Sequence, residues 1–148
     1  MQVTSPSFAP NQPIPQRHSA EGDNVSPAIE WRDIPSSAKS FVVICEDPDA
    51  PNGTFRHWAV WNIPADWRRL DEGSRADLPQ ALNDFGQRGY GGPLPPKGDP
   101  PHHYHFRVLA LDRDHLDLPQ EAKVAEVAEA ARDWALDEAE LVGLYRRR

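Results

Sequence analysis

The sequence predicts an all-β core of short strands and loops that gives way to helix at its C-terminal end. Three observations predict it. Sixteen prolines and nine glycines are spread along 148 residues and interrupt most of the chain before a long helix could form. Three stretches, Ser40 to Cys45, His57 to Ile63 and His102 to Asp112, are rich in β-branched and aromatic residues or alternate with a period of two. Beyond Pro119 the prolines stop, and Val124, Val127, Ala128, Ala131, Trp134 and Ala135 recur at helical spacing.

Before the first of these strands, Met1 to Pro35 holds six prolines and reads as extended edge segments and loops, with Ile29 and Trp31 pointing inward. Ser40 to Cys45 is a near-continuous apolar run, the pattern of a central strand buried on both faces. Asp47-Pro48-Asp49-Ala50-Pro51 then removes backbone donors at both prolines, and Asn52-Gly53 supplies a turn. In the next strand His57, Ala59, Trp61 and Ile63 should share one face, and Trp58, Val60 and Asn62 the other. Pro64 to Pro101 has no clear periodicity except around Leu78 to Leu82. Its second half, from Asp84, is a long glycine- and proline-rich loop. Structureless loops of more than ~12–15 residues are usually binding or lid elements. In the strand that follows, His102, Tyr104, Phe106, Val108 and Ala110 form one face, so His102 and Tyr104 stand at the mouth of the core. Asp137-Glu138-Ala139-Glu140 reads as the capped start of a second short helical piece ending near Gly143.

One domain, 1–148, accounts for the length and can bury roughly 70% of its unfolded surface. The 26% charged residues and the low mean hydropathy fit a soluble protein without integral membrane association. The N-terminus has neither the basic start nor the apolar run of a signal peptide, and a single cysteine, Cys45, suits a reducing, cytoplasmic setting. A formal charge of −7 argues against nucleic acid and anionic membrane surfaces as partners, and Arg146-Arg147-Arg148 reads as a solvated tail.

No Gly-x-Ser-x-Gly elbow, Walker loop or Cys-x-x-Cys pair is present. His103 and His105 share a strand face, but no glutamate follows to complete a metal site, so paired surface histidines are the preferred reading. No metal or other cofactor is expected. Of Asp47 and Asp49, one can face a pocket while the other braces the loop. His57 and His102 each begin a core strand beside a proline-rich loop. Together they suggest a small anion site polarised by imidazoles and backbone N–H groups.

These same residues carry a resemblance. Asp47-Pro48-Asp49-Ala50-Pro51 with His57-Trp58, and Gly89-Tyr90-Gly91-Gly92-Pro93-Leu94-Pro95-Pro96-Lys97-Gly98 with His102-His103-Tyr104-His105-Phe106, are similar to the phosphatidylethanolamine-binding proteins. The match is to their bacterial and archaeal Raf kinase inhibitor-like branch. Asn24-Val25-Ser26-Pro27 with Trp31, Ala110-Leu111-Asp112 and Leu141-Val142-Gly143-Leu144-Tyr145 also fit, so the resemblance spans the chain. It implies a β-sandwich of two antiparallel sheets with C-terminal helices. It also implies a pocket for phosphate, phosphoethanolamine-like or carboxylate groups, lined by Asp47, Pro51, His57, Gly92, Pro95, Pro96, His102 and Tyr104. Asp49, Trp58 and Tyr145 would support it. The Ala50-Pro51 bond would be cis, as is typical of the family. His103 replaces a frequent arginine, and Leu94 is bulkier than the glycine of eukaryotic members.

The function placed first is a non-enzymatic binding module for a small anionic ligand, with a regulatory protein partner or a homodimer compatible with it. Two alternatives stand beside it. One is a hydrolase of phospho- or acyl-esters using His102 or His57 as general base. The other is an interaction protein that restrains a kinase.

Overall fold

In the computed structural model, which describes residues 1–74 and 77–147, the chain forms two antiparallel sheets and one α-helix. Strands β1 (Gln2–Thr4), β2 (Ile29–Arg32) and β5 (Arg69–Leu70) make a three-stranded sheet in the order β1-β2-β5. Strands β3 (Ser40–Asp47), β4 (Phe55–Pro64), β6 (His102–Leu111) and β7 (Ala135–Tyr145) make a four-stranded sheet in the order β4-β3-β6-β7. Helix α1 (Val124–Arg132) precedes β7. No described helix is long and apolar enough to cross a membrane.

The larger sheet is covered on both faces. Phe41, Val43 and Cys45 of β3, with Phe106, Val108 and Ala110 of β6, pack toward Val3, Ile29, Trp31 and Leu70 of the smaller sheet. On the opposite face Val42, Ile44, Leu109 and Leu111 meet Val124, Val127, Ala128 and Ala131 of the helix. This two-sided cover explains why β3 is apolar at consecutive positions and lies wholly buried. The alternation of β6 is as the sequence predicts, with His102, Tyr104 and Phe106 inside and His103 exposed.

Strand β4 departs from simple alternation. Cys45 pairs with Trp58 but Glu46 with Arg56, and Val43 pairs with Val60 but Phe41 with Ile63. Each interval holds one extra residue on β4, and each extra residue reverses the face of what lies beyond it. Trp58, Val60 and Ile63 therefore enter the inter-sheet core, while Ala59 and Trp61 face the helix. Asn62 absorbs one irregularity at φ 57°, and its Oδ1 accepts the Leu116 N–H at 2.7 Å. His57 is the extra residue at the other irregularity. It thereby leaves the Ala59 and Trp61 face expected for it, and its ring lies 5.3 Å from that of Tyr104.

The C-terminal helices are corrected to one helix and one strand. Ala135 to Tyr145 pairs with β6 along its length, and Leu141, Gly143 and Tyr145 are buried at every second position. Helix-favouring Leu, Glu and Ala are overridden here because β6 offers an open edge and a core face that a period-two segment can fill. Gly143 also allows Ile14 and Phe8 to close over the strand, since a Cβ there would lie 2.5 Å from Ile14 Cγ1. Arg148 of the terminal triplet lies outside the described residues.

Replacing Phe106, which is fully buried, by alanine should cost about 3–5 kcal/mol in chemical denaturation. Leu136→Ala, at a residue that is 40% exposed, should stay within about 0.5 kcal/mol. Equal effects of the two substitutions would contradict the packing described.

Candidate functional site

Antiparallel pairing of β3 with β6 sets Glu46 opposite His105, so the end of β3 and the start of β6 reach the same rim of the larger sheet. At that rim a cavity of about 180 Å³ is lined by Asp47, Ala50, Pro51, Phe55, His57, Phe85, Leu94, Pro95, Pro96, His102 and Tyr104. Two larger depressions, of about 760 and 460 Å³, lie elsewhere, beside Arg88 and beside Tyr145. The smaller cavity is the candidate site because two imidazoles, an acid and a phenol converge in it.

The proline-rich turn is held by its own acids. Asp47 Oδ1 accepts the Asp49 N–H at 2.8 Å, and Asp49 Oδ2 accepts the His103 backbone N–H at 2.8 Å. Asp49 also meets the His103 ring at 2.7 Å. Burial pushes the Asp49 carboxyl up, but the hydrogen bonds from His103 outweigh it and hold the pKa below its ordinary value. Asp49 thus braces the turn while Asp47 faces the cavity. The cis bond implied for Ala50-Pro51 is absent, as every described peptide bond is trans. Pro51 instead follows Ala50 in a turn closed by the Gly53 N–H on the Ala50 carbonyl at 3.2 Å. There the ring's fixed φ serves a trans bond.

The two cavity histidines carry different protonation preferences. His57, 3% exposed, has Nδ1 2.7 Å from the Gly91 carbonyl. Burial lowers its pKa, and the Gly91 carbonyl and Asp47 only partly oppose this, so the neutral ring is favoured. His102 has Nδ1 2.7 Å from Asp47 Oδ2 and Nε2 3.0 Å from Asp99 Oδ2. Burial again works to lower the pKa, but hydrogen bonds to Asp47 and Asp99 prevail and raise it. In its charged form the ring donates at both nitrogens. Burial and the negative charge of Asp47 raise the Tyr104 pKa, so its hydroxyl keeps its proton.

Seven of the eight residues expected to line the pocket are brought together: Asp47, Pro51, His57, Pro95, Pro96, His102 and Tyr104. Gly92 is not among the residues lining this cavity, though its backbone reaches the His57 ring. The Gly92 N–H donates to Asn24 Oδ1 at 2.7 Å, and a Cβ there would come within 2.2 Å of the His18 carbonyl oxygen. The absence of a Cβ at this position is what permits so close a backbone approach. Trp58 is buried away from the cavity with Nε1 donating to Gln80, and Tyr145 lines the depression beside Glu21. Ala50, Phe55, Phe85 and Leu94 are lining residues the sequence reading did not select. Phe55 precedes His57 by two, a spacing that could have revealed it. Phe85 sits in an aperiodic loop and gave no such signal, yet its ring lies 4.7 Å from that of Phe55. No group of three or more potential metal ligands is clustered among the described residues.

A two-sheet antiparallel sandwich with a histidine-lined cavity at one rim is the architecture of a ligand-binding fold. The sequence profile described as Phosphatidylethanolamine-binding protein matches residues 4–146, and the chain belongs to that family. A UPF0098 protein of Aquifex aeolicus is 43% identical over 152 residues, covering 99% of this chain and 89% of the relative. The UPF0098 protein YbhB of Escherichia coli is 38% identical over 158 residues, covering 98% and 99%. The crystal structure of E. coli YbcL, described as a new member of the mammalian PEBP family, superposes with a TM-score of 0.94 at 35% identity. That superposition covers 99% of this chain and 98% of YbcL.

The opposite shifts set a pH test. His102, raised in the fold, contributes stability that is complete below its unfolded pKa of about 6.5 and is lost as pH rises through the folded value. His57, lowered in the fold, contributes stability that is present above about 6.5 and is lost as pH falls through its folded value. In a proton NMR titration the His102 ring should have its midpoint above about 6.5 and the His57 ring below it. The reverse order would refute the arrangement.

Proposed function

We propose that the cavity at the rim of the larger sheet binds a small ligand bearing a phosphate or carboxylate group, and that the protein is a binding module. One observation carries this reading: His57, His102, Tyr104 and Asp47 converge on a single cavity whose remaining walls are apolar. The Tyr104 hydroxyl and, where Asp99 gives way at Nε2, the His102 ring in its charged form are the donors an anion requires, and charge-assisted hydrogen bonds are the stronger kind. Asp47 suits an ammonium group, so a phosphoethanolamine-like headgroup matches the polar set. Phe55, Phe85, Leu94, Pro95 and Pro96 offer apolar contact for what the headgroup is attached to. A volume of about 180 Å³ favours a headgroup over a ligand that fills a cavity of ~300–1,000 Å³.

Two features support binding over a hydrolysis that uses His102 as its base. His102 in its charged form uses both ring nitrogens as donors and has no lone pair with which to act as a base. The lining residues include no serine, threonine or cysteine. Cys45 is fully buried, and burial followed by Glu46 and Asp47 pushes its thiol up, which removes it as a nucleophile.

Titration with inorganic phosphate or phosphoethanolamine should move the His57 and His102 resonances and leave His115 still. His115 bonds to Asn62 near the far end of β4 and serves as the internal control. His102→Ala should weaken binding about tenfold or more. A response confined to exposed histidines would overturn the pocket. Turnover of phospho- or acyl-esters that disappears in His102→Ala would replace binding by catalysis.

A further inference from the structure

His102 stands between two acids that differ in how firmly they are held. Asp47 is 3% exposed, and both of its oxygens are occupied, one by the Asp49 N–H and the other by His102 Nδ1. Asp99 approaches the opposite nitrogen, Nε2, at 3.0 Å, from a side chain that is 38% exposed. It sits in the short turn between Pro96 and Pro101, where its own N–H reaches the Pro96 carbonyl at 3.3 Å. Gly98 beside it has φ 87°, so the turn is built on a residue with wide conformational freedom.

The consequence is electrostatic. With both acids ionised, the His102 charge is opposed by two negative charges, and neither of its N–H groups is open to a ligand. Moving Asp47 would bare a buried charge and break the Asp49 turn. Moving Asp99 returns an exposed carboxylate to water, a far smaller cost.

We infer that Asp99 is a specificity-determining residue of the cavity: its carboxylate occupies the outward N–H of His102 as an internal anion, and an external anion binds by displacing it. The inference rests on the anion-binding reading proposed above. The residue filters ligands by charge. A bare anion must compete with a tethered carboxylate and meets a cluster of net negative charge. A cation meets no such competition.

The test is calorimetric titration of inorganic phosphate into the wild type, Asp99→Asn, Asp99→Ala and His102→Ala at fixed pH and ionic strength. Thermal melting confirms that each variant is folded. Ethanolamine, of opposite charge, is titrated in parallel. Asp99→Ala should bind phosphate about tenfold or more tighter than the wild type. Asp99→Asn, which keeps a neutral acceptor at Nε2, should fall between them. Ethanolamine should gain nothing from either substitution, which separates charge competition from a general loosening of the loop. If the wild type binds phosphate and neither Asp99 variant binds it more tightly, the inference fails while the pocket assignment stands. A gain of equal size for ethanolamine also overturns it. If phosphate binds none of the folded proteins, Asp99→Ala included, the anion-binding reading itself falls.

Discussion

The pairing of β3 with β6 is the constraint on which the rest of this structure depends. The two strands run antiparallel in continuous register from Ser40 opposite Leu111 to Glu46 opposite His105. The end of one must therefore lie beside the start of the other. The acidic turn that leaves β3 and the long loop that enters β6 are brought together with no contact between them required in advance. Both strands are buried through their middles, so a slip by one residue would send core side chains to the wrong face. The same restriction that secures the core thus fixes the distance between Asp47 and His102.

Polar groups at such a rim are stable only if each finds a partner. Asp47 serves the Asp49 N–H and His102, His57 meets the Gly91 carbonyl, and Asp49 meets His103. These bonds place two imidazoles in one cavity with opposite protonation preferences, because one faces carboxylates and the other a carbonyl in an apolar setting. The aromatic rings of Phe55, Phe85 and Tyr104 around His57 strengthen that contrast by keeping water from it. Loop glycines contribute by absence of a side chain. At Gly92 the backbone comes within contact of the His18 segment.

Much of this was legible in the residue order, and the parts that were not share a cause. The interior of β3 and the alternation of β6 could be read directly, since burial on two faces or on one leaves a local pattern. His102 and Tyr104 at the core's mouth followed from that alternation. The face of His57 could not be read, because a bulge is a property of pairing with β3 and leaves no periodic trace in β4. The part of β7 from Asp137 to Gly143 reads as helix because its residues favour helix locally, and the open edge of β6 that captures it lies some thirty residues earlier in the chain. The trans bond at Pro51 and the packing of Gly92 likewise depend on a turn closure and a close approach formed by other segments.

By itself the residue order determined the class of fold, the central strands and the chemical types gathered at the rim, because periodicity and punctuation are local consequences of burial and backbone geometry. The tertiary structure decided which of those groups share one cavity and which way burial and hydrogen bonding bias the protonation of each histidine. It also placed Asp99, an acid in a proline-rich loop with no distinguishing pattern, against His102 Nε2. Distances between segments far apart in the chain, and the dielectric setting each group acquires there, come only from packing.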